Sequence, residues 1–252
     1  HVICMGDFCS MDSLSTYDRG KKSFEGRRYQ KDMDCSHEAL SLFNKGLGNH
    51  RPKKIMLHGN HEDRIDRFVD ENPELDGSVS IKNLHYKKYG WREIPYKAIK
   101  VIDGVHYSHH LPSGIMGSAI SGENIARSIL TKHKVSATVG HSHLLDYATS
   151  TLPNGRKLNA LSAGCYLNHK EHFARDTQHM WWSGLVVKKE IFVSTRLSCT
   201  GSSTASSSTS GSVFWLCIVL PKSLTVPTNA LRAAPCLVKY PKSSLKSGPF
   251  SW

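Results

Sequence analysis

Residues 54–64 read KIMLHGNHEDR: a short apolar run that breaks at Gly59 and passes into a loop of polar side chains. A strand that delivers polar residues at its C-terminal end is where α/β folds place their chemistry, so this stretch sets the expected fold class. Three other stretches follow the same plan. The chain opens on HVICMGDF, in which the apolar run Val2 to Met5 ends at Gly6 and Asp7. Residues 97–110, KAIKVIDGVHYSHH, read as two strands around Asp103 and Gly104, a dipeptide suited to a tight hairpin turn, with the second strand ending in His109 and His110. Val135 to Val139 forms a further strand that ends in Gly140 and the triplet His141, Ser142, His143.

Helical spacing fills the intervals. Ala39, Leu40, Leu42, Phe43 and Leu47 recur on one face behind Ser36 as a candidate N-cap, and Ser121 is placed to cap a helix carrying Ile125, Ile129 and Leu130. Strands alternating with helices, plus a hairpin, predict an α/β sandwich with mixed sheets.

Composition divides the 252 residues into a domain, 1–194, and a basic tail, 195–252. Residues 191–252 hold six Lys or Arg and no Asp or Glu, so half of the net charge of +12 sits there and the rest of the chain is only mildly basic. The run GSSTASSSTSG and scattered prolines predict a disordered or linker segment foreign to the domain. A positive surface of this size suits a phosphate-bearing substrate, nucleic acid included, and suits a solvated face equally well. The seven cysteines show neither CxxC pairs nor a small-domain disulfide spacing and read as reduced thiols. Val213 to Leu220, the longest apolar run, is far below the ~20 residues that span a bilayer, and the start has no signal-peptide pattern; a cytosolic protein without a membrane partner is the expectation.

Singly, each polar fragment is weak. Asp7 alone is more often a turn former or cap than a ligand, GNHE could be an ordinary loop, and an isolated HxH pair is structural about as often as it is metal-binding. His141 and His143 gain weight because residues i and i+2 of an extended segment face the same way. The ordered set is what raises the odds: GDF at Asp7, GNHE at Asn60 and His61, SHH at His109, GHSH at His141 and His143, each after an apolar strand.

This set resembles the calcineurin-like metallophosphoesterase superfamily over nearly all of residues 1–190. The wording GDFCSMDSLSTYDRGKKSFEGRRY with GNHEDR is similar to a branch often carried by bacteriophages, whose product would act in the cytoplasm of a bacterial host. The resemblance implies two facing mixed sheets flanked by helices, with Asp7 bridging two divalent ions. Asn60, His109 and His141 would complete the second site, His143 would reach the first, and His61 would stand beside the leaving-group oxygen as general acid or electrostatic stabiliser. His110 is an alternative to His109, since the family pattern there is His-Gly. Arg64 is a candidate contact to substrate phosphate, with an ion pair to Asp63 or Asp66 as the plainer role.

The physical reason for such a set is that two divalent ions can bind phosphate oxygens and make water a usable nucleophile near neutral pH. Imidazole, amide and carboxylate ligands without thiolate suit Mn, Fe, Zn or Ni, with Mn favoured. Family members begin with a strand ending in Asp-x-His, which is not found ahead of Asp7; the first strand and helix are expected to be missing, leaving one ion well bound. Three function classes follow: a phosphodiesterase or nuclease-like hydrolase, a phosphomonoesterase or protein phosphatase on the same centre, and a catalytically impaired remnant that binds only metal or nucleic acid.

Overall fold

The structure is a computed structural model, and it describes residues 1–166, 172–189 and 214–218. Two five-stranded sheets and three α-helices make up the described chain. The first sheet is built on three parallel strands, β1 (Val2–Cys4), β2 (Lys54–Leu57) and β3 (Trp91–Ile94), with β1 in the middle of the full order. On the free side of β1 runs β10 (Phe214–Ile218), parallel to it, and beyond that β9 (Leu185–Lys189), antiparallel to β10. The strand β10 lies inside the predicted tail; the rest of that prediction falls outside the described residues, as do Cys199 and Cys236.

The second sheet has the order β4 (Lys100–Ile102), β5 (Val105–Ser108), β6 (Ser136–Val139), β8 (Lys157–Ala163), β7 (Leu145–Thr151). Strands β5, β6 and β8 are mutually parallel, and antiparallel strands stand at both edges, so the sheet is mixed. The hairpin between β4 and β5 turns at Asp103 and Gly104, both with positive φ (48° and 74°), the turn that this dipeptide favours.

Alternation along the strands sorts the core into layers. In β1, Val2 and Cys4 pack with Met56, Trp91 and the helix residues Met33 and Leu40, while Ile3 points the other way and joins Ile55, Leu57, Tyr107 and Leu161 between the sheets. In β6, Ala137 and Val139 turn outward to Ile125, Ile129 and Leu130 of a helix. The order is therefore helix, sheet, sheet, helix, as the alternation of strands and helices predicts.

Two helix starts differ from expectation. Helix α1 spans Tyr29–Leu47, so Ser36 lies in its second turn, buried, with its hydroxyl donating to the Asp32 carbonyl 2.8 Å away. The first turns carry only Tyr29 and Met33 on the core side among polar residues, a weak periodic signal in the sequence. Helix α3 is Ile125–Lys132 with Asn124 at its N-cap, not Ser121; its first-turn anchor is a carboxylate from β7, Asp146, which accepts from the Ala126 amide at 2.7 Å. Helix α2, Asp63–Glu71, follows directly on the GNHE loop. No helix among the described residues is long and apolar enough to cross a membrane. Cys4, Cys9 and Cys165 are buried and Cys35 is half-buried.

Candidate metal centre

Strands β1 and β2 run parallel in one sheet, and β5 and β6 run parallel in the other. Their C-terminal ends come together at one edge of the sandwich. From them extend Asp7, Asn60, His109 and His141. The ligand-capable atoms of Asp7, His109 and His141 all lie within 4.8 Å of one another. Asn60 Oδ1 stands 3.0 Å from His109 Nε2 and 3.0 Å from His141 Nδ1, and those two ring nitrogens are 3.2 Å apart. Asp7 Oδ2 is 3.5 Å from His109 Nε2.

Proton bookkeeping shows what these contacts mean. His109 Nδ1 lies 2.7 Å from the Met5 carbonyl oxygen, which can only accept, so the ring proton is on Nδ1 and the neutral ring offers a lone pair at Nε2. That lone pair faces the amide oxygen of Asn60 and the carboxylate of Asp7, which are also acceptors. Oxygen and nitrogen lone pairs converging in a buried place need a cation or an extra proton among them. The spacing suits a cation: ligands about 2.1 Å from one ion stand roughly 3.0–3.4 Å apart in octahedral or tetrahedral arrangement. The group could hold a metal ion, and its donor set contains no thiolate.

The loops are shaped for this approach. Gly6 has φ of 94°, and a Cβ there would lie 2.5 Å from His109 Nδ1. A Cβ on Gly59 would overlap the Asp7 carboxylate and amide. Asp7 and His141 themselves adopt left-handed backbone, at φ 55° and 67°.

Around the four candidate ligands stand the supporting side chains. His61 is buried; its Nδ1 donates to the Ser10 carbonyl at 2.7 Å, its amide donates to Asp7 Oδ1 at 3.0 Å, and its Nε2 is 3.9 Å from Asp7 Oδ2. Arg64 donates from Nη1 to the Ser10 carbonyl (2.9 Å) and reaches Asp12 (3.4 Å), while Nη2 is 3.3 Å from His61 Nε2. The ion pair expected with Asp63 or Asp66 is not made; Arg67, one turn on, pairs with Asp63 at 3.0 Å. The side chain of Arg64 folds back over the 10–12 loop because three acceptors wait there.

His143 does not join the three-residue group; its ring packs edge-on against Trp181, centroids 4.2 Å apart. The i, i+2 argument for His141 and His143 assumed an extended segment, and both residues have positive φ, 67° and 63°, so the segment is not extended. Of the two adjacent histidines, His109 is in the group, and His110 stands behind it with Nε2 3.0 Å from the Tyr96 hydroxyl. Burial, then the neighbouring His109, lowers the pKa of His110. Burial, then Asp63 and Asp7, raises that of Tyr96.

Sequence reasoning missed Glu62, the last residue of GNHE. Its carboxylate is fully buried. Oε1 accepts from the amides of Phe8 (2.8 Å) and Cys9 (3.1 Å) and from the Tyr86 hydroxyl (3.1 Å). Oε2 accepts from the amides of Gly59 (2.7 Å) and Asp7 (3.0 Å). One side chain thus ties the β1 loop to the β2 loop. The acid at the mouth of a helix reads in sequence as a first-turn charge, and nothing in the linear order points to donors 53–55 positions away.

Comparison with models of known families, with curated proteins and with solved structures returns no match.

Proposed function

We propose that this protein is a divalent-metal-dependent phosphoester hydrolase of the calcineurin-like kind, acting on a diester, with Asp7, Asn60, His109 and His141 holding the ion. The observation that carries the reading is the convergence of side chains from four strand ends, in which His109 Nε2, its ring proton held on Nδ1 by the Met5 carbonyl, stands 3.0 Å from Asn60 Oδ1. A divalent ion among them, Mn²⁺ by preference, supplies Lewis-acid charge to a phosphoryl oxygen and makes water a usable nucleophile near neutral pH.

The protein's own residues do the rest. Glu62 and the His61 amide fix Asp7 from two sides. His61, with Nδ1 committed to Ser10, keeps Nε2 to hold a proton for the departing oxygen. The Asp7 carboxylate and the Arg64 guanidinium both stand beside that nitrogen.

Metal content of the purified protein and hydrolysis of bis(4-nitrophenyl) phosphate and 4-nitrophenyl phosphate with added Mn²⁺ test this together. The expected result is about one ion per chain, diester turnover above monoester turnover, and loss of affinity on the order of 10-fold or more in His109→Ala and Asn60→Ala. A wild-type chain that neither retains nor is thermally stabilised by any divalent ion would overturn the reading.

A further inference from the structure

Strand β3 ends the first sheet and β4 ends the second, and residues of both line an open cavity of about 730 Å³. Lys53, Lys87, Arg92 and Lys100 stand on this groove, and Asp103 is the single carboxylate among the described residues that line it. A fifth cation in the lining, Lys54, is committed to the fold: it donates to Asn44 Oδ1 at 2.6 Å and to the Tyr89 carbonyl.

The four cations carry uncompensated charge. Among the described residues none of them makes an ion pair, whereas Arg19, Arg27, Arg64 and Arg67 each stand against a carboxylate. Glu93, next to Arg92 in the chain, turns to the opposite face of β3 and meets His58 at 3.0 Å. A concave surface lined by one sign of charge concentrates its field and draws in the opposite sign. The floor differs from the walls: Ile55 and Ile102 belong to the apolar layer between the sheets, and Val101 is exposed beside them. Cationic walls over an apolar floor match a chain of phosphates that also offers flat apolar surface.

The groove leads to the metal centre. Strand β3 runs from Trp91 and Arg92 in the groove to Ile94, whose carbonyl accepts from the amide of His58, two residues before Asn60. One short strand therefore separates the two places, about 10 Å at the usual rise per residue. At the centre end stands Lys97, exposed and without an ion pair among the described residues, its Nζ 5.3 Å from the Tyr96 ring centroid. That ring is 6.2 Å from the ring of His109.

We propose that the groove holds a single-stranded nucleic acid, its phosphates running along Arg92 and Lys100 to Lys97 so that a diester of the same strand enters the metal centre. A duplex keeps its bases stacked inside and cannot cover the apolar floor, whereas the unpaired bases of a single strand can. The inference rests on the phosphoester reading for what happens to the strand, and binding is measured apart from turnover.

The test is fluorescence anisotropy of a labelled oligothymidylate of about 12 nucleotides, a length in the usual range for one single-strand site, in EDTA so that nothing is cut. Each phosphate neutralised on a single strand contributes about −0.7 to the slope of log affinity against log salt. The groove triple Lys87→Gln, Arg92→Gln, Lys100→Gln should therefore flatten the slope by about 2 and weaken binding roughly 100-fold at 0.1 M salt, and Lys97→Gln alone should flatten it by about 0.7. The control triple Arg127→Gln, Arg156→Gln, Lys157→Gln removes the same charge from α3 and the β7–β8 hairpin and should leave the slope where it is. Basic residues beyond position 190 contribute equally to every variant. For a duplex of the same length the loss in the groove triple should be at least about ten-fold smaller. Tm shows whether each variant is folded, and where the groove triple is not, Arg92→Gln alone should flatten the slope by about 0.7. No binding by the wild type, equal losses in the groove variants and the control, or a loss for the duplex as large as for the single strand would each overturn the proposal. The expected binding pattern without cutting of the oligonucleotide or any other ester in Mn²⁺ would uphold the groove and sink the hydrolase reading. Turnover of bis(4-nitrophenyl) phosphate without binding of the oligonucleotide would do the reverse.

Discussion

Replacing Glu62 by Gln changes one atom in the whole protein and is expected to be among its most damaging substitutions. The carboxylate has five donors arranged on two oxygens, three on Oε1 and two on Oε2. An amide can keep its oxygen on the three-donor side, but its NH2 then faces the N–H groups of Asp7 and Gly59, donor against donor. Each buried backbone donor so stranded costs about 1–3 kcal/mol, giving roughly 2–6 kcal/mol. Against a total stability of about 5–15 kcal/mol that is a large share. Urea unfolding followed by tryptophan fluorescence measures it directly. The control is Tyr86→Phe, which removes a single hydroxyl donor to the same carboxylate and should cost less, about 1.5–3 kcal/mol for a bond to a charged group. The loss in Glu62→Gln should also appear as weaker divalent-ion affinity, because Asp7 and Gly59 are the two positions whose amides are stranded. An unfolding free energy for Glu62→Gln within about 1 kcal/mol of wild type would refute the reasoning, since it would mean that water reaches the site or that the loops are not held by this carboxylate.

Two further outcomes follow from the same edge of the sandwich. Gly59→Ala places a methyl group on the Asp7 carboxylate and amide, so it should abolish divalent-ion binding measured by calorimetry while leaving the far-UV circular dichroism of the sheets intact. His110 gives a pH signature: its pKa is lowered in the fold, by burial and then by His109, so the unfolded chain binds its proton more tightly, near the ordinary pKa of about 6.5. Its contribution to stability is therefore full above that pH and falls as pH drops below it, and in metal-free buffer Tm of the wild type should drop more steeply between pH 7.5 and 5.5 than Tm of His110→Phe; equal slopes would contradict this.

Much of this architecture could be read in the linear order because each strand is a short apolar run closed by a glycine or by a polar residue. The pattern marks β1, β2, β5 and β6, and the four candidate ligands lie one to three residues beyond their ends. The helix starts were hidden for a different reason. The first turns of α1 are polar and face partners such as Ser13, which donates to Asp32 at 2.6 Å, so they are stabilised by tertiary contacts that periodicity does not record. The extended geometry assumed for residues 141–143 was not legible, because backbone φ is invisible in composition, and the positive values at His141 and His143 show that the segment is bent. Glu62 carried no signal in the linear order, and His110 was legible only as an alternative to His109. The role of Glu62 depends on which donors lie across a fold boundary, and a sequence places those dozens of positions away.

The origin of the candidate ligands in two different sheets has a consequence for stability. Asp7 and Asn60 extend from β1 and β2, His109 and His141 from β5 and β6, and the polar links across this edge run from His109 to the Met5 carbonyl and from His109 and His141 to Asn60 Oδ1. Two of the four, Asp7 and His141, hold left-handed backbone, a conformation that costs of order 1–3 kcal/mol for each non-glycine residue and is kept only where the surroundings impose it. Here Glu62 imposes it on the Asp7 side, through buried bonds that do not require the second sheet. The His141 side has no such buried carboxylate, and the contacts of its Nδ1 run to Asn60 and His109. The first-sheet half of the centre is thus held by buried bonds of its own. A cation bound between the two halves acts as a cross-link between the sheets, so its binding free energy adds to the stability of the sandwich as well as arming the site.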